Sequence, residues 1–214
     1  PRLLSYYLTE ARQFSTRRRP KRFIAVSAYM RRNIERNYPA ARDCIRTAYP
    51  GLESGDIAPV PQQRERYRRE LGLAAESFVC LFAASNFKKK GLGPLLRALE
   101  RIKGDCTLLV AGEGRQEEYR ARIAQLGLGR RVRFLGVRSD MEALFGVADA
   151  LVHPTREDTF GMTVLEAMAH GLPVIVSSAQ YCGMAEQLSG ETALLLDDPG
   201  DPVQIARCIS ALMG

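Results

Sequence analysis

Phe78-Val79-Cys80-Leu81-Phe82-Ala83-Ala84 runs apolar from end to end, and so does Leu108-Leu109-Val110-Ala111. A strand with one face in water alternates polar and apolar residues, whereas a strand covered on both faces need not. Around these runs lie segments of helical length and pattern. The order reads as helix 62–71, strand 78–84, helix 93–103, strand 106–111, helix 115–126, strand 132–135, helix 139–147 and strand 148–152, then helix 162–170, strand 173–177, helix 183–189, strand 192–196 and helix 201–213. Continuous apolar strands alternating with helices specify an α/β fold: a doubly wound parallel sheet with right-handed crossovers. Ligands of such sheets bind beyond the carboxyl ends of the strands. Loops 84–92, 111–115, 136–139, 153–162 and 178–184 are therefore expected to face a ligand.

Upstream, Arg22 to Ser27 reads as another strand, with Ser27 placed to cap a helix reaching about Arg36. Cys44 to Tyr49 reads as a short extended segment. Pro50-Gly51 is a turn signal, and Glu53 to Gln62 is rich in Gly and Pro, so residues 51–62 are the candidate linker.

Composition excludes several classes. The 214 residues suffice for one good domain and part of another. No apolar run approaches the roughly 20 residues that span a bilayer. The five cysteines (Cys44, Cys80, Cys106, Cys182, Cys208) show no zinc spacing, and with only His153 and His170 as imidazoles no metal site is expected. Cys80 and Cys106 sit in or beside apolar runs, as buried reduced thiols do. The net charge of +7 is concentrated before residue 70, in Arg17-Arg18-Arg19-Pro20-Lys21-Arg22 and Arg64-Glu65-Arg66-Tyr67-Arg68-Arg69. Such clusters are either solvated faces or surfaces for polyanions. No aromatic residues interleave with the first cluster and no nucleic-acid module is recognisable, so nucleic acid is not the expected partner.

The residues richest in chemistry are His153-Pro154-Thr155-Arg156-Glu157-Asp158-Thr159-Phe160-Gly161-Met162-Thr163-Val164-Leu165-Glu166-Ala167-Met168. They leave a buried strand, turn at Gly161 and enter a helix that ends at His170-Gly171. The N-terminus of that helix offers free N–H groups and a positive dipole end, which suit a diphosphate. Asp158 before the helix and Glu166 within it could each accept hydrogen bonds from vicinal hydroxyls. The same two residues also fit a capping acid and a solvated glutamate, and their chemistry alone leaves both readings open. His153 at a strand end is a structural residue as readily as a catalyst. In Ser85-Asn86-Phe87-Lys88-Lys89-Lys90-Gly91, three lysines follow a strand on the same edge, where at least one can meet phosphate. Gly112-Glu113-Gly114 resembles the start of a dinucleotide fingerprint, but Glu117 stands where the third glycine belongs. It reads instead as a tight turn that lets a ligand approach the backbone.

The stretch Asp158 to Met168 resembles the hallmark of the retaining glycosyltransferases of family 4: an acid, seven residues, then Glu, with Phe-Gly inside and Leu-Glu-Ala-Met at its end. Members usually carry Glu at the first position. Asp158 is one methylene shorter, and Glu157 beside it is the alternative acid. Ser85-Asn86-Phe87, Lys90-Gly91, His153-Pro154, Cys182-Gly183-Met184-Ala185 and Arg66-Tyr67-Arg68 before Gly72 are similar to the branch that builds the lipopolysaccharide core. The absence of a Gly-Arg-Leu run near Ser85 agrees with that branch.

The resemblance implies a Rossmann-like domain at 63–214, the C-terminal half of a GT-B fold, with residues 1–50 as the tail of an N-terminal acceptor domain. It implies transfer of a hexose, glucose from a UDP-linked donor, to a glycan or glycolipid acceptor, with retention and without cofactor or metal. Lys90 would neutralise the diphosphate, Asp158 would hold the donor sugar and Glu166 the ribose. Ser85, Asn86, Gly112, Phe160, Gly161, Met162 and Thr163 would line the donor, and Val137 and Arg138 would meet the base through their backbone. A cytoplasmic protein is expected, peripheral on the inner face of the plasma membrane through the basic N-terminal cluster. Rival readings are a nucleotide-sugar 2-epimerase, a non-catalytic nucleotide-binding domain and an NAD-binding domain. Without the rest of an acceptor domain, the purified chain is expected to bind donor but not transfer sugar; a transfer assay that shows product would refute this.

Overall fold

The computed structural model describes residues 22–52 and 61–214. The first part holds strand β1 (Phe23–Ala25), helix α1 (Ala28–Asn37), a 3-10 segment (Pro39–Cys44) and strand β2 (Ile45–Thr47). The second runs α2 (Pro61–Glu70), β3 (Phe78–Ala84), α3 (Leu92–Arg101), β4 (Cys106–Gly112), α4 (Gln116–Gln125), β5 (Val132–Gly136), α5 (Met141–Val147) and β6 (Ala150–His153). It continues with α6 (Met162–Ala169), β7 (Val174–Ser177), β8 (Leu194–Leu196) and α7 (Pro202–Met213).

The sheet contains six parallel strands in the order β5-β4-β3-β6-β7-β8. Alternate residues of the apolar runs serve opposite faces. Val79, Leu81, Ala83, Leu109, Leu151, Val174 and Val176 join one core, with Leu144 of α5 and Val164 of α6. Cys80, Phe82, Leu108, Val110, Val152 and Ile175 join the other, with Leu95 of α3 and Ile205 of α7. This placement is what right-handed crossovers require. The chain moves outward from β3 to β5 with α3 on one face. It then returns to the far side of β3, so α5 and α6 lie on the other. β3 and β6 are neighbours whose following loops leave toward opposite faces, which makes their carboxyl ends the switch point of the fold.

The expected α/β class and nearly all the elements hold. The exceptions have local causes. Residues 183–189 do not form a helix; only a 3-10 turn, Met184–Gln187, is present. The N–H groups of Gly183 and Met184 donate across to Asp158 and Phe160 rather than along a helix axis. The strand expected from residue 192 begins at Leu194, because Thr192 and Ala193 donate back to Ser189 in a turn. The 3-10 segment after α1 is entered at Pro39, which has no N–H to lose. Within the expected linker, residues 53–60 lie outside the described part, and Pro61 already begins α2.

In the second basic cluster Arg64 and Arg68 are structural, while Arg66 and Arg69 stay exposed. Arg64 donates to the carbonyls of Gly146 at 2.6 Å and Ala148 at 2.9 Å and pairs with Asp149 at 2.5 Å. Arg68, buried, reaches the carbonyls of Val147, Ala74, Ala75 and Ser77 and pairs with Asp149 at 3.3 Å. Asp149 in turn accepts from the N–H of Val79 at 2.7 Å, so the pair clamps α2 onto the amino ends of β3 and β6. The first cluster lies outside the described residues apart from Arg22, and with it the expected membrane contact. Among the described residues no helix is long and apolar enough to cross a membrane. Arg68→Ala would take the donor from four carbonyls while Asp149 keeps Arg64. It is therefore expected to lower the unfolding free energy by about 1–3 kcal/mol in urea titrations, well beyond any effect of exposed Arg66→Ala.

Candidate functional site

The loops after β3 and β6 interlock at the switch point. In the β3 loop, Asn86 Oδ1 accepts from the N–H of Lys89 at 3.0 Å, and the N–H of Lys90 donates to the Asn86 carbonyl at 2.9 Å. Phe87 is buried beneath this turn, and Lys90 is left at its crest. Gly91 has φ +85°, and a Cβ there would lie 2.0 Å from the Pro154 carbonyl. Only glycine lets the two loops touch. The N–H of Arg156 then donates to the Lys89 carbonyl at 3.0 Å.

Asp158 is the centre of this contact. Its Oδ2 receives the Lys90 ammonium and, at 2.9 Å, Nε2 of His153. Burial pushes the Asp158 carboxyl up, but the His153 ring and the Lys90 charge outweigh it and hold it well below the usual carboxylate range. His153 is 2% exposed. Its Nδ1 has no partner among the described residues, so the tautomer that donates from Nε2 avoids a stranded N–H. Glu157, the alternative acid, turns outward to Lys89 at 3.1 Å and is half exposed. The structure thus separates the two acids: Asp158 faces the crevice pair, Glu157 the solvent.

The loop after β7 supports the acid loop from behind. The N–H of Asp158 donates to the Tyr181 carbonyl at 2.8 Å, and Cys182 Sγ reaches the Phe160 carbonyl at 3.3 Å. Burial, with the Asp158 charge, pushes the Cys182 thiol up to about 11. Ligand atoms of His153, Asp158 and Cys182 all lie within 4.8 Å of one another, the arrangement a metal would ask for. Among the described residues these atoms are otherwise engaged: Lys90 and His153 both meet Asp158 Oδ2, and Cys182 Sγ turns to the Phe160 carbonyl.

Helix α6 begins at Gly161, whose φ of +102° turns the acid loop into the helix. No side chain caps it and no acid stands in its first turn. The N–H groups of Met162 and Thr163 have no intrahelical partner. Glu166, half-buried on the same helix, makes no side-chain hydrogen bond or ion pair among the described residues. Gly171 and Leu172 close the far end, donating to Met168 at 2.9 Å and Ala167 at 3.0 Å.

Of the other expected residues, Ser85 and Asn86 line a cavity of about 330 Å³ with Phe87, Lys88 and Gly114 on the same edge. Val137 is 75% exposed, and Arg138 pairs with Asp140 at 2.6 Å, leaving their backbone open. Phe160 is buried, so it reaches the site by its main chain alone. At Gly112 a Cβ would lie 2.0 Å from the Ala84 carbonyl, and one at Gly114 would lie 2.3 Å from the Phe87 ring. The space a side chain would take at these glycines is filled by neighbouring protein. Loop 178–184 was expected on this edge; what the sequence did not signal is that Tyr181 to Met184 support the acid loop from behind.

The family described as Glycosyl transferases group 1 matches residues 77–214. The Escherichia coli lipopolysaccharide glucosyltransferase WaaG is 31% identical over 134 residues, covering 61% of this chain and 35% of that protein. A D-inositol 3-phosphate glycosyltransferase of Corynebacterium efficiens is 29% identical over 85% of this chain and 45% of its own length. Among solved structures, Anabaena Alr3699/HepE in complex with UDP superposes with a TM-score of 0.80 at 26% identity, over 88% of this chain and 52% of that one. The fold is that of one half of a GT-B glycosyltransferase. The chain belongs to the group 1 glycosyl transferases, and it spans about half or less of the length of the relatives it matches.

The Asp158 contacts set a pH dependence. A carboxyl whose folded value is depressed stabilises above its unfolded value, about 3.9, and loses that contribution as pH falls toward the folded value. Asp158→Asn is expected to cost about 1.5–3 kcal/mol at pH 7. The gap to the unaltered chain should narrow from about pH 4 downward in thermal unfolding across the pH series; a constant gap would contradict the assignment.

Proposed function

We propose that this chain is the nucleotide-sugar-binding part of a retaining family 4 glycosyltransferase that moves glucose from UDP-glucose to a lipopolysaccharide-core type of glycan. The observation that carries the reading is the juxtaposition at the switch point: the Lys90–Asp158 pair beside an uncapped helix N-terminus, with Glu166, unpaired among the described residues, further along that helix. A nucleoside diphosphate sugar presents the matching groups: two anionic phosphates flanked by two sets of vicinal hydroxyls.

In this reading the diphosphate takes the N–H groups of Met162 and Thr163 and shares the Lys90 ammonium. Asp158, held by His153, accepts from the hydroxyls of the transferred sugar, and Glu166 accepts from the ribose. The base lies over the backbone of Val137 and Arg138. Catalysis then consists of positioning, together with stabilisation of the departing diphosphate by charges that are already in place. The carboxylates are binding groups rather than the acid and nucleophile of a glycoside hydrolase. No metal is needed, because Lys90 and the helix dipole supply the positive charge.

Support for the UDP donor comes from the Anabaena protein, solved with UDP and with UDP-glucose. The lipopolysaccharide-core acceptor follows the similarity to WaaG. The likeness to D-inositol 3-phosphate glycosyltransferases spans more of this chain and favours a second acceptor class, a phosphorylated polyol. The acceptor, the site of action at the inner membrane face and the role of residues 1–50 as the tail of the acceptor domain all belong to this proposal.

Calorimetric titration with UDP-glucose, UDP, GDP-mannose and NAD tests it. UDP compounds are expected to saturate, and Lys90→Ala and Glu166→Ala should each weaken binding by about 10- to 100-fold, the worth of a charged hydrogen bond. Preference for GDP-mannose would overturn the donor assignment, and preference for NAD would overturn the reading as a whole.

A further inference from the structure

Residues 23–52 form a small unit with its own core of Ala25, Ile34, Ala41 and Ile45. Its contacts with the sheet domain converge on the back of the Asp158 loop, and two side chains make most of them. Ser27, fully buried, caps α1 by accepting from the N–H of Met30 at 2.9 Å, while its hydroxyl donates to the Thr159 carbonyl. Glu186, whose side chain is 10% exposed, faces the same helix end. Its Oε2 accepts from the N–H of Ala28 at 2.9 Å and from the Tyr49 hydroxyl at 3.3 Å. Its Oε1 pairs with Arg32 at 2.6 Å. A carboxylate at the first turn of α1 also meets the positive end of the helix dipole.

The segment carrying Glu186 is the one that grips the acid loop. The N–H of Gly183 donates to the Asp158 carbonyl at 3.1 Å and that of Met184 to the Phe160 carbonyl at 2.5 Å. Gly183 is wedged between the two units: a Cβ there would lie 2.4 Å from the Thr159 carbonyl and 2.6 Å from Ser27 Oγ. Its backbone is ordinary helical, so space alone requires glycine. On the outer side the Tyr49 ring lies 6.3 Å from that of Phe160. Thr159 and Phe160 are thus held from the sheet domain by 183–184 and from the small unit by Ser27 and Tyr49. They stand between Asp158 and the Gly161 turn that starts α6.

We infer that Ser27 and Glu186 are positioning residues, which lock the 23–52 unit onto the acid loop and so fix where Asp158 and the N-terminus of α6 stand. The lock makes no demand on the donor itself, but its consequence for binding rests on the donor reading above.

Two measurements on the whole chain test the inference separately from that reading. The first is amide hydrogen exchange without ligand, on the unaltered chain, Ser27→Ala, Glu186→Ala, Glu186→Gln and Gly183→Ala. The amides of Asp158, Gly183 and Met184 are expected to exchange about 10-fold faster in Ser27→Ala and Glu186→Ala, the worth of one hydrogen bond. Glu186→Gln, which keeps an acceptor for Ala28, should recover part of the protection, and Gly183→Ala should match the alanine variants. The amides of β4 should be unchanged in all of them. Unaltered exchange at Asp158, Gly183 and Met184 overturns the lock, and so does faster exchange that includes β4 equally. The second is titration with UDP-glucose. Affinity reduced about 5- to 10-fold in Ser27→Ala and Glu186→Ala, partly restored in Glu186→Gln, supports the positioning role. Local loosening with unchanged affinity overturns it. Local loosening in a chain that binds no nucleotide even when unaltered leaves the lock standing and removes the donor reading instead.

Discussion

A parallel sheet covered on both faces must send every connection over one side or the other, and the handedness of the crossover decides which. Because β3 and β6 are neighbours and the chain runs outward from each in opposite directions, their loops part toward opposite faces. No other adjacent pair in this sheet sends its two connections away from each other along the sheet. The gap that results is the one place where backbone ends, helix dipole and side chains from both halves of the domain can converge. Lys90 arrives from one side of it and Asp158 from the other. The pairing is therefore a product of strand order, and strand order is a product of how the apolar residues divide between the two cores.

The approach of the loops is as constrained as their position. Gly91 admits the Pro154 carbonyl, Gly161 turns the acid loop into α6, and the β7 loop presses from behind through Cys182 and Gly183. Apart from the Cys182 thiol, these contacts are main chain against main chain. Side-chain substitutions in the loops can alter the charges displayed there, yet the spacing between Lys90 and Asp158 is set by backbone that has little room to move. His153 completes the arrangement by meeting the same carboxylate oxygen as Lys90, Oδ2.

Much of this could be read from residues alone, for physical reasons. Continuous apolar runs have no soluble alternative to a buried strand, so β3 and β4 and the helices between strands were plain. The acid loop stood out because Asp158, Gly161 and Glu166 combine a turn, a helix start and two carboxylates within a few residues. What stayed hidden depends on partners remote in sequence. Arg64 and Arg68 look like a solvated basic face until Asp149 and the end of α5 are brought to them. Residues 183–189 carry a helical pattern, but their N–H groups find better acceptors on the acid loop. Gly112 and Gly114 signal a close approach without saying what approaches, and the answer is Ala84 and Phe87. The choice between Asp158 and Glu157 likewise turns on His153 and Lys90, which no local pattern orders.

The crevice carries its own counter-ion. With Asp158 set against Lys90, the surface shows neither a bare ammonium nor a bare carboxylate, and both side chains are largely withdrawn from bulk water. At the proposed donor site an incoming anion would arrive at an exchange rather than at an open charge: Lys90 would trade one partner for another, and Asp158 would be compensated only by a newcomer that also brings hydroxyls. Simple phosphate would answer half of that exchange. A molecule with negative charge and a polyol at a fixed separation would answer all of it, so that the proposed site would sort by the distance between two functional groups more than by the strength of either.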